Sequence, residues 1–187
     1  LAVTGDIMVH SYQYEEAYDP QSGTYDFMHN FTDVKKYFEA ADYAIGNFET
    51  VTAGEDIGIS DYPCFNTPDS FLDRLQYSGI DFVTTANNHC MDKGTDGLLR
   101  TIEKLDEYGF DHTGTYADEK SRNEIFVKDI NGIKFACLSY TYGTNGIEPK
   151  DGIEVALINK DKMAQEIALT RNAGAEIIVV AIHWGVE

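Results

Sequence analysis

The sequence predicts an α/β fold, a sheet covered by helices on both faces, and three observations predict it. Apolar strand-like runs alternate with helical patterns along the chain. The strand runs are unbroken in their apolar character, as strands buried on both faces are. Four of them end on carboxylate, amide or imidazole residues, and ligands bind at the carboxyl ends of strands in open α/β sheets. With 187 residues and a hydrophobic content of 43 %, the chain can bury one good core, so residues 1–187 are expected to form a single domain.

The first strand is "LAVTGD", stopping at Gly5 and Asp6. The following stretch from Ser11 to Thr32 is aromatic and acidic without clear period, and reads as an excursion near the strand ends. Its Tyr12, Tyr14, Tyr18 and Tyr25 either form a platform for a carbohydrate or polymer, or pack on one another. "DVKKYFEAA", Asp33 to Ala41, reads as a helix, and "YAIGNFET" as the next strand, with Asn47 and Glu49 at its polar end. Thr67 followed by Pro68 predicts a helix start, an N-cap with proline at the first helical position. Phe71, Leu72 and Leu75 supply that helix's inward face.

"IDFVTTANNH" is a strand running into Asn87, Asn88 and His89. Leu98, Leu99, Ile102 and Leu105 recur at helical spacing opposite Arg100, Glu103, Lys104 and Asp106, which makes an amphipathic surface helix. "NEIFVKDINGIKFACLSYTY" resembles a hairpin turning at Asn131 and Gly132. Met163, Ala164, Ile167 and Ala168 mark another helix. "EIIVVAIH" closes the series as a strand expected inside its sheet, ending at His183, whose rotamer Trp184 is expected to fix.

Composition excludes several function classes. A net charge of −18 argues against wrapping nucleic acid, since phosphate binding needs Lys and Arg clusters. No apolar run approaches the ~20 residues of a membrane span, and the chain opens in what reads as a strand. Cys64, Cys90 and Cys137 are too widely spaced for a disulfide framework or a CxxC zinc site. Cys137, within "IKFACLSY", reads as a small core residue.

The chemistry lies at the strand ends. Asp6, then Asn47 with Glu49, then Asn87, Asn88 and His89, then His183 each close a strand. Asp and Asn are common turn residues, but turn chemistry does not select histidine twice and glutamate once. Parallel neighbouring strands would bring these groups into one cleft. Carboxylate, imidazole and amide together suit a divalent transition metal, Mn, Zn or Fe. No Gly-rich phosphate loop, GxSxG elbow or Cys–His pairing competes with that reading.

Four blocks then carry a resemblance: "GDIMVH" at Gly5 to His10, "GNFET" at Gly46 to Thr50, "ANNHCMDKGTDGLLRTIEKLDEYGFDHTGTY" from Ala86 to Tyr116, and "AIHWGVE" from Ala181 to Glu187. Together they resemble the bacterial capsule-synthesis family associated with poly-γ-glutamate, related in fold to the calcineurin-like metallophosphoesterases. The resemblance implies a four-layer α/β/β/α sandwich. It also implies Asp6, Glu49, Asn88 and His183 as metal ligands, with Glu49 as the bridging carboxylate.

By the same resemblance His89 is the acid or charge stabiliser facing the substrate. Asp92, grouped with it as a candidate catalytic residue, either orients that histidine or caps the next helix, and the cap is expected. His10, Asn47 and Asn87 are assigned to substrate binding. The sequence departs from the pattern at Met8, where phosphoesterases have histidine, and at His10, where the capsule family usually has arginine.

The resemblance further implies a metal-dependent hydrolase or transferase acting on a phosphate ester, amide or γ-glutamyl link. The alternative is a non-catalytic accessory subunit of a membrane-associated polymer synthesis and export complex. The expected substrates are an anionic polymer or a small phosphate or carboxylate compound, and the expected location is extracytoplasmic or in the cell envelope. Because the sequence stops before a "GHHPH"-like element of the family, the domain is expected to be incomplete at its C-terminal end or to self-associate.

Overall fold

The computed structural model describes residues 1–150 and 152–185, and builds them around two facing sheets. β1 (Ala2–Ile7), β4 (Ala44–Phe48), β5 (Phe82–Thr84) and β6 (Asp111–Thr113) form the first, all parallel and in that order. Between β1 and β4 come α1 (Ser11–Ala17), the small ribbon of β2 (Tyr18–Asp19) and β3 (Thr24–Tyr25), α2 (Met28–Thr32) and α3 (Lys35–Phe38). α4 (Ser70–Tyr77) precedes β5, and α5 (Gly94–Glu107) precedes β6.

The second sheet has the order β11-β9-β8. β8 (Lys128–Ile130) and β9 (Ile133–Thr141) form the hairpin read from the sequence, turning on two left-handed residues, Asn131 (φ 52°) and Gly132 (φ 88°). β11 (Ile177–His183) runs parallel to β9. β7 (Thr115–Tyr116) pairs with β10 (Glu154–Val155), while α6 (Glu119–Asn123) and α7 (Lys160–Asn172) complete the elements.

Strand alternation explains both the core and the site. Ile45 and Phe82 on the first sheet meet Phe135, Cys137 and Val179 on the second, with Tyr43 and Phe126 beside them. Phe82 and Phe135 are fully buried, and each such ring contributes about 1.5–3 kcal/mol by burial. Two residues further along the strands, on the same inner faces, stand Asn47, Thr84, Ser139, Ala181 and His183. The apolar layer thus turns polar at the carboxyl ends. There it opens into a cleft of about 220 Å³, lined also by Gly5, Asp6, Ala86 and Ile182.

On its outer face the first sheet presents Ala44, Phe48 and Val83 to Phe31, Phe71, Leu72, Leu75 and Leu105 of the helices. α7 lies behind the second sheet, where the Tyr140 hydroxyl donates to Glu166. The result is the expected α/β/β/α order of layers, a metallophosphoesterase-like α/β fold.

Several local expectations are corrected. The helix expected over Asp33 to Ala41 is only one turn, α3. Thr67 does not cap α4; its hydroxyl bonds those of Thr50 (2.7 Å) and Tyr14 (3.2 Å), and Asp69 precedes the helix. Of the two readings of the N-terminal tyrosines, packing on one another is the one observed: Tyr14 and Tyr18 each meet Tyr25, with ring centroids 6.3 and 5.2 Å apart, and Tyr14, Phe27 and Phe31 join the main core. β11 is an edge strand among the described residues, not an interior one. Its Ile178, Val179, Val180 and Ala181 are half-buried, while Ile177 and Ile182 are exposed. No described helix is long and apolar enough to cross a membrane.

Candidate metal centre

Three strands deliver carboxylates and amides to the mouth of the cleft. The β1–β4 register slips between Val3 and Asp6, so that Asp6 pairs with Asn47. Beyond β4 the Glu49 backbone N–H donates to Ile7 O at 2.9 Å and continues the ladder. Ile45, Asn47 and Glu49 therefore project to one face at period two. His183 arrives from the opposite sheet, not from a neighbouring parallel strand as the sequence reading had it. The two sheets meet with their carboxyl ends together.

The His183 ring lies among the other donors. Its Nε2 is 2.8 Å from Asn88 Oδ1 and 3.6 Å from Glu49 Oε1, and its Nδ1 is 3.8 Å from Asp6 Oδ1. Ligand atoms of Asp6, Glu49 and His183 all lie within 4.8 Å of one another. Asn47 knits the group, donating from Nδ2 to Asp6 Oδ1 at 2.7 Å and accepting the Thr84 hydroxyl at 3.1 Å. Two carboxylates, one imidazole and one amide oxygen fit a divalent ion of the Mn to Zn range. This arrangement brings together all four sequence-predicted ligands.

The loop after β5 holds the remaining candidates. Asn87 is fully buried: its Nδ2 donates to Phe48 O at 2.8 Å, and its Oδ1 accepts the His89 N–H at 3.1 Å. It ties two strand ends together, which is a shaping role and not the substrate contact expected of it. His89 and Asp92 are buried side by side, with Nδ1 of the ring 2.8 Å from Asp92 Oδ2. The same oxygen accepts the Phe65 N–H at 2.6 Å. Asp92 therefore orients the histidine; α5 starts at Gly94 with no side-chain cap, so the expected cap is corrected.

Phe65 and Tyr142 were missed by sequence reasoning, as nothing in their spacing marks them. The Phe65 ring packs edge-on to His89 at 4.7 Å and to His10 at 5.4 Å. His10 thus stands one ring away from His89, not among the metal-ligand candidates. Met8 lines a separate pocket with Gln13, Asn30 and Phe31, although Asp6 borders both. Tyr142, and not Trp184, stacks on His183 at 6.1 Å and 15°.

Cysteines frame the site without joining it. Burial pushes the Cys90 and Cys137 thiols up to about 12. Half-buried Cys64 donates to Asp92 O at 2.9 Å and receives Lys93 Nζ on its carbonyl at 3.2 Å.

A family model described as bacterial capsule synthesis protein PGA_cap matches residues 1–187. The chain belongs to the bacterial capsule synthesis protein family. Within it, the chain is 26 % identical over 196 residues to "Capsule biosynthesis protein CapA" of Bacillus anthracis, a match covering 100 % of this chain and 46 % of the relative. It is 28 % identical over 197 residues to "PGA biosynthesis protein CapA" of Bacillus subtilis (strain 168), covering 98 % and 48 %. The chain spans about half the length of these relatives. Membership in the capsule synthesis family associates it with the cell envelope.

Proposed function

We propose that this capsule-family chain is a metal-dependent hydrolase or transferase acting on a phosphate ester or a γ-glutamyl or other amide link of a cell-surface polymer. The observation that supports it most is the adjacency of two constellations. Asp6, Glu49, Asn88 and His183 form a divalent-metal donor set, and the oriented His89–Asp92 pair follows Asn88 on the same loop. Bound there, an ion would lower the pKa of a water from about 15.7 to about 7 and polarise a phosphoryl or carbonyl oxygen.

The chain's own residues divide the remaining work. Asp92 holds the His89 Nδ1–H, so proton transfer to a leaving oxygen or nitrogen falls to Nε2. Phe65 packs the imidazole and excludes water from its face. Asn47 orients Asp6, and Asn87 fixes the loop that carries Asn88 and His89. The substrate is an anionic polymer or a smaller phosphate or carboxylate compound, and the setting is extracytoplasmic, beside a membrane-associated synthase complex. Self-association is part of the same proposal.

A second reading, a non-catalytic accessory subunit of that complex, is favoured by Met8. A thioether lining a separate pocket stands where the phosphoesterase pattern supplies an imidazole. Calorimetric titration with Mn, Zn and Fe(II), followed by assay on a p-nitrophenyl phosphate and a γ-glutamyl anilide, separates the two. Metal binding with turnover of either substrate supports the enzyme. A chain that binds the metal and turns over neither is the accessory subunit, and one that binds no metal loses both the donor set and the enzyme.

A further inference from the structure

We infer that Asn145 is a positioning residue of the candidate metal centre, whose side-chain oxygen fixes which end of the Asn88 amide faces the ion. The inference rests on the reading of the strand-end cluster as a metal site. An amide, unlike a carboxylate, has two unlike ends, an oxygen that accepts and an NH₂ that donates. Only the oxygen can bind a cation, so the orientation of the amide decides whether Asn88 is a ligand at all. Asn88 Oδ1 faces the other donors, 2.8 Å from His183 Nε2, while Asn88 Nδ2 donates to Asn145 Oδ1 at 3.4 Å. An acceptor behind the amide opposes the flipped state, which would set two oxygens against each other.

The bond is long, but the segment that supplies it is tied down along its length. Thr141 pairs with His183 in the β9–β11 ladder, and the Tyr142 N–H donates to His183 O at 3.0 Å. The Tyr142 ring stacks on the His183 ring, and the Thr141 hydroxyl donates to Gly143 O at 3.0 Å. The Ile147 N–H then donates to Thr144 O at 3.0 Å, closing a tight turn over Asn145 and Gly146. Both central residues are left-handed, Asn145 at φ 50° and Gly146 at φ 78°, as a type I′ turn requires, and Asn-Gly is the favoured pair for it.

Turn preference alone accounts for an asparagine at position 145. It does not account for the direction of the side chain, onto a donor residue 57 positions away. One short segment thus backs two donors carried by different sheets: His183 through its backbone and ring, and Asn88 through its amide. Partners one bond out from an ion typically change its affinity by about 10–100-fold, and a single neutral hydrogen bond belongs at the low end of that range.

Calorimetric titration of the chain with Mn alone tests the inference. Asn145→Gly removes the oxygen and keeps the turn, since glycine takes the left-handed conformation freely. It should bind Mn about tenfold more weakly than the parent, with the melting temperature of the metal-free chain unchanged. Asn145→Asp tolerates the same conformation and accepts at both ends, so it should bind Mn at least as tightly as the parent. Asn88→Asp makes the two ends of the ligand alike; adding Asn145→Gly to it should then cost less than about threefold, a coupling that mere support of the loop would not produce. The inference is overturned if Asn145→Gly binds Mn like the parent, if Asn145→Asp is as weak as Asn145→Gly, or if the loss is as large in the Asn88→Asp background. A parent that binds no Mn overturns the metal-site reading and this inference with it, whereas a parent that binds Mn beside an unaffected Asn145→Gly overturns the positioning role alone.

Discussion

His183 Nε2 lies 2.8 Å from Asn88 Oδ1, across the gap between the two sheets and 95 residues away in sequence. Both atoms belong to the donor set proposed for one ion. His183→Ala and Glu49→Gln are therefore expected to weaken Mn binding by at least ~100-fold, beyond the ~10–100-fold typical of outer partners. Calorimetric titration measures it. Parent-like affinity in both variants would remove the centre from this cleft.

In the proposed function His89 transfers a proton and does not ligate the ion. His89→Ala should lower turnover by about 10²–10⁴-fold while leaving the Mn affinity within a few-fold of the parent. Asp92→Asn should share the rate loss, since it disturbs the hydrogen bond that sets the tautomer. A parallel loss of metal and rate in His89→Ala would make that residue a ligand instead.

Gly114 lies at φ 118°, and a Cβ there would sit 2.5 Å from Ala86 N and 3.0 Å from Ser139 Oγ. Gly114→Ala combines a strained backbone with overpacking, so a loss of about 2–4 kcal/mol is expected in denaturant unfolding. Because Ala86 begins the loop carrying Asn88, the variant should also bind Mn more weakly. A stability change under ~1 kcal/mol contradicts the packing described.

Burial pushes the Asp69 carboxyl up, but the Arg100 guanidinium and Lys104 pull it further down, so it ends below the usual carboxylate range. A depressed folded-state value stabilises the fold above the unfolded Asp range, near pH ~4, and the contribution is lost as pH falls through the folded value. Arg100 also donates to Thr52 O, joining α5 to the segment just after Glu49. Asp69→Asn should cost about 1–2 kcal/mol at pH 7 and flatten the acid limb of the stability curve. An unchanged acid midpoint would assign that limb to other carboxylates.

Thiol titration checks the burial pattern. Cys90 and Cys137 are pushed up to about 12 by burial, so only Cys64 should react with a disulfide reagent at pH 8, and all three on unfolding. Fast reaction of Cys137 in the native protein would show the inter-sheet layer to be open.

The gathering of polar residues at one edge was legible because chemistry overrode turn statistics at four strand ends. Glutamate and histidine have no turn preference, so their presence at Glu49, His89 and His183 carried information that Asp6 alone would not. Hydrophobic periodicity likewise exposed α5 and the β8–β9 hairpin. β6 was missed because Asp111–Thr113 is too short and polar to register as a strand, and is held by pairing with β5. Thr67–Pro68 misled because the threonine hydroxyl found tertiary partners in Tyr14 and Thr50. The edge position of β11 was hidden for a related reason: an apolar run reports what faces it, not how many strands flank it. Phe65 carries no local signal at all, since its place beside His89 comes from a loop folding back over a separate element.

Because Asp6, Glu49 and Asn88 come from one sheet and His183 from the other, an ion held by all four would act as a clasp between two leaves. Its binding energy would then oppose any opening of the domain along that seam, adding about 2.7 kcal/mol at a free concentration one hundred times the dissociation constant. Loading would make the molecule harder to pull apart or digest. Metal supply would thereby govern how long each copy survives.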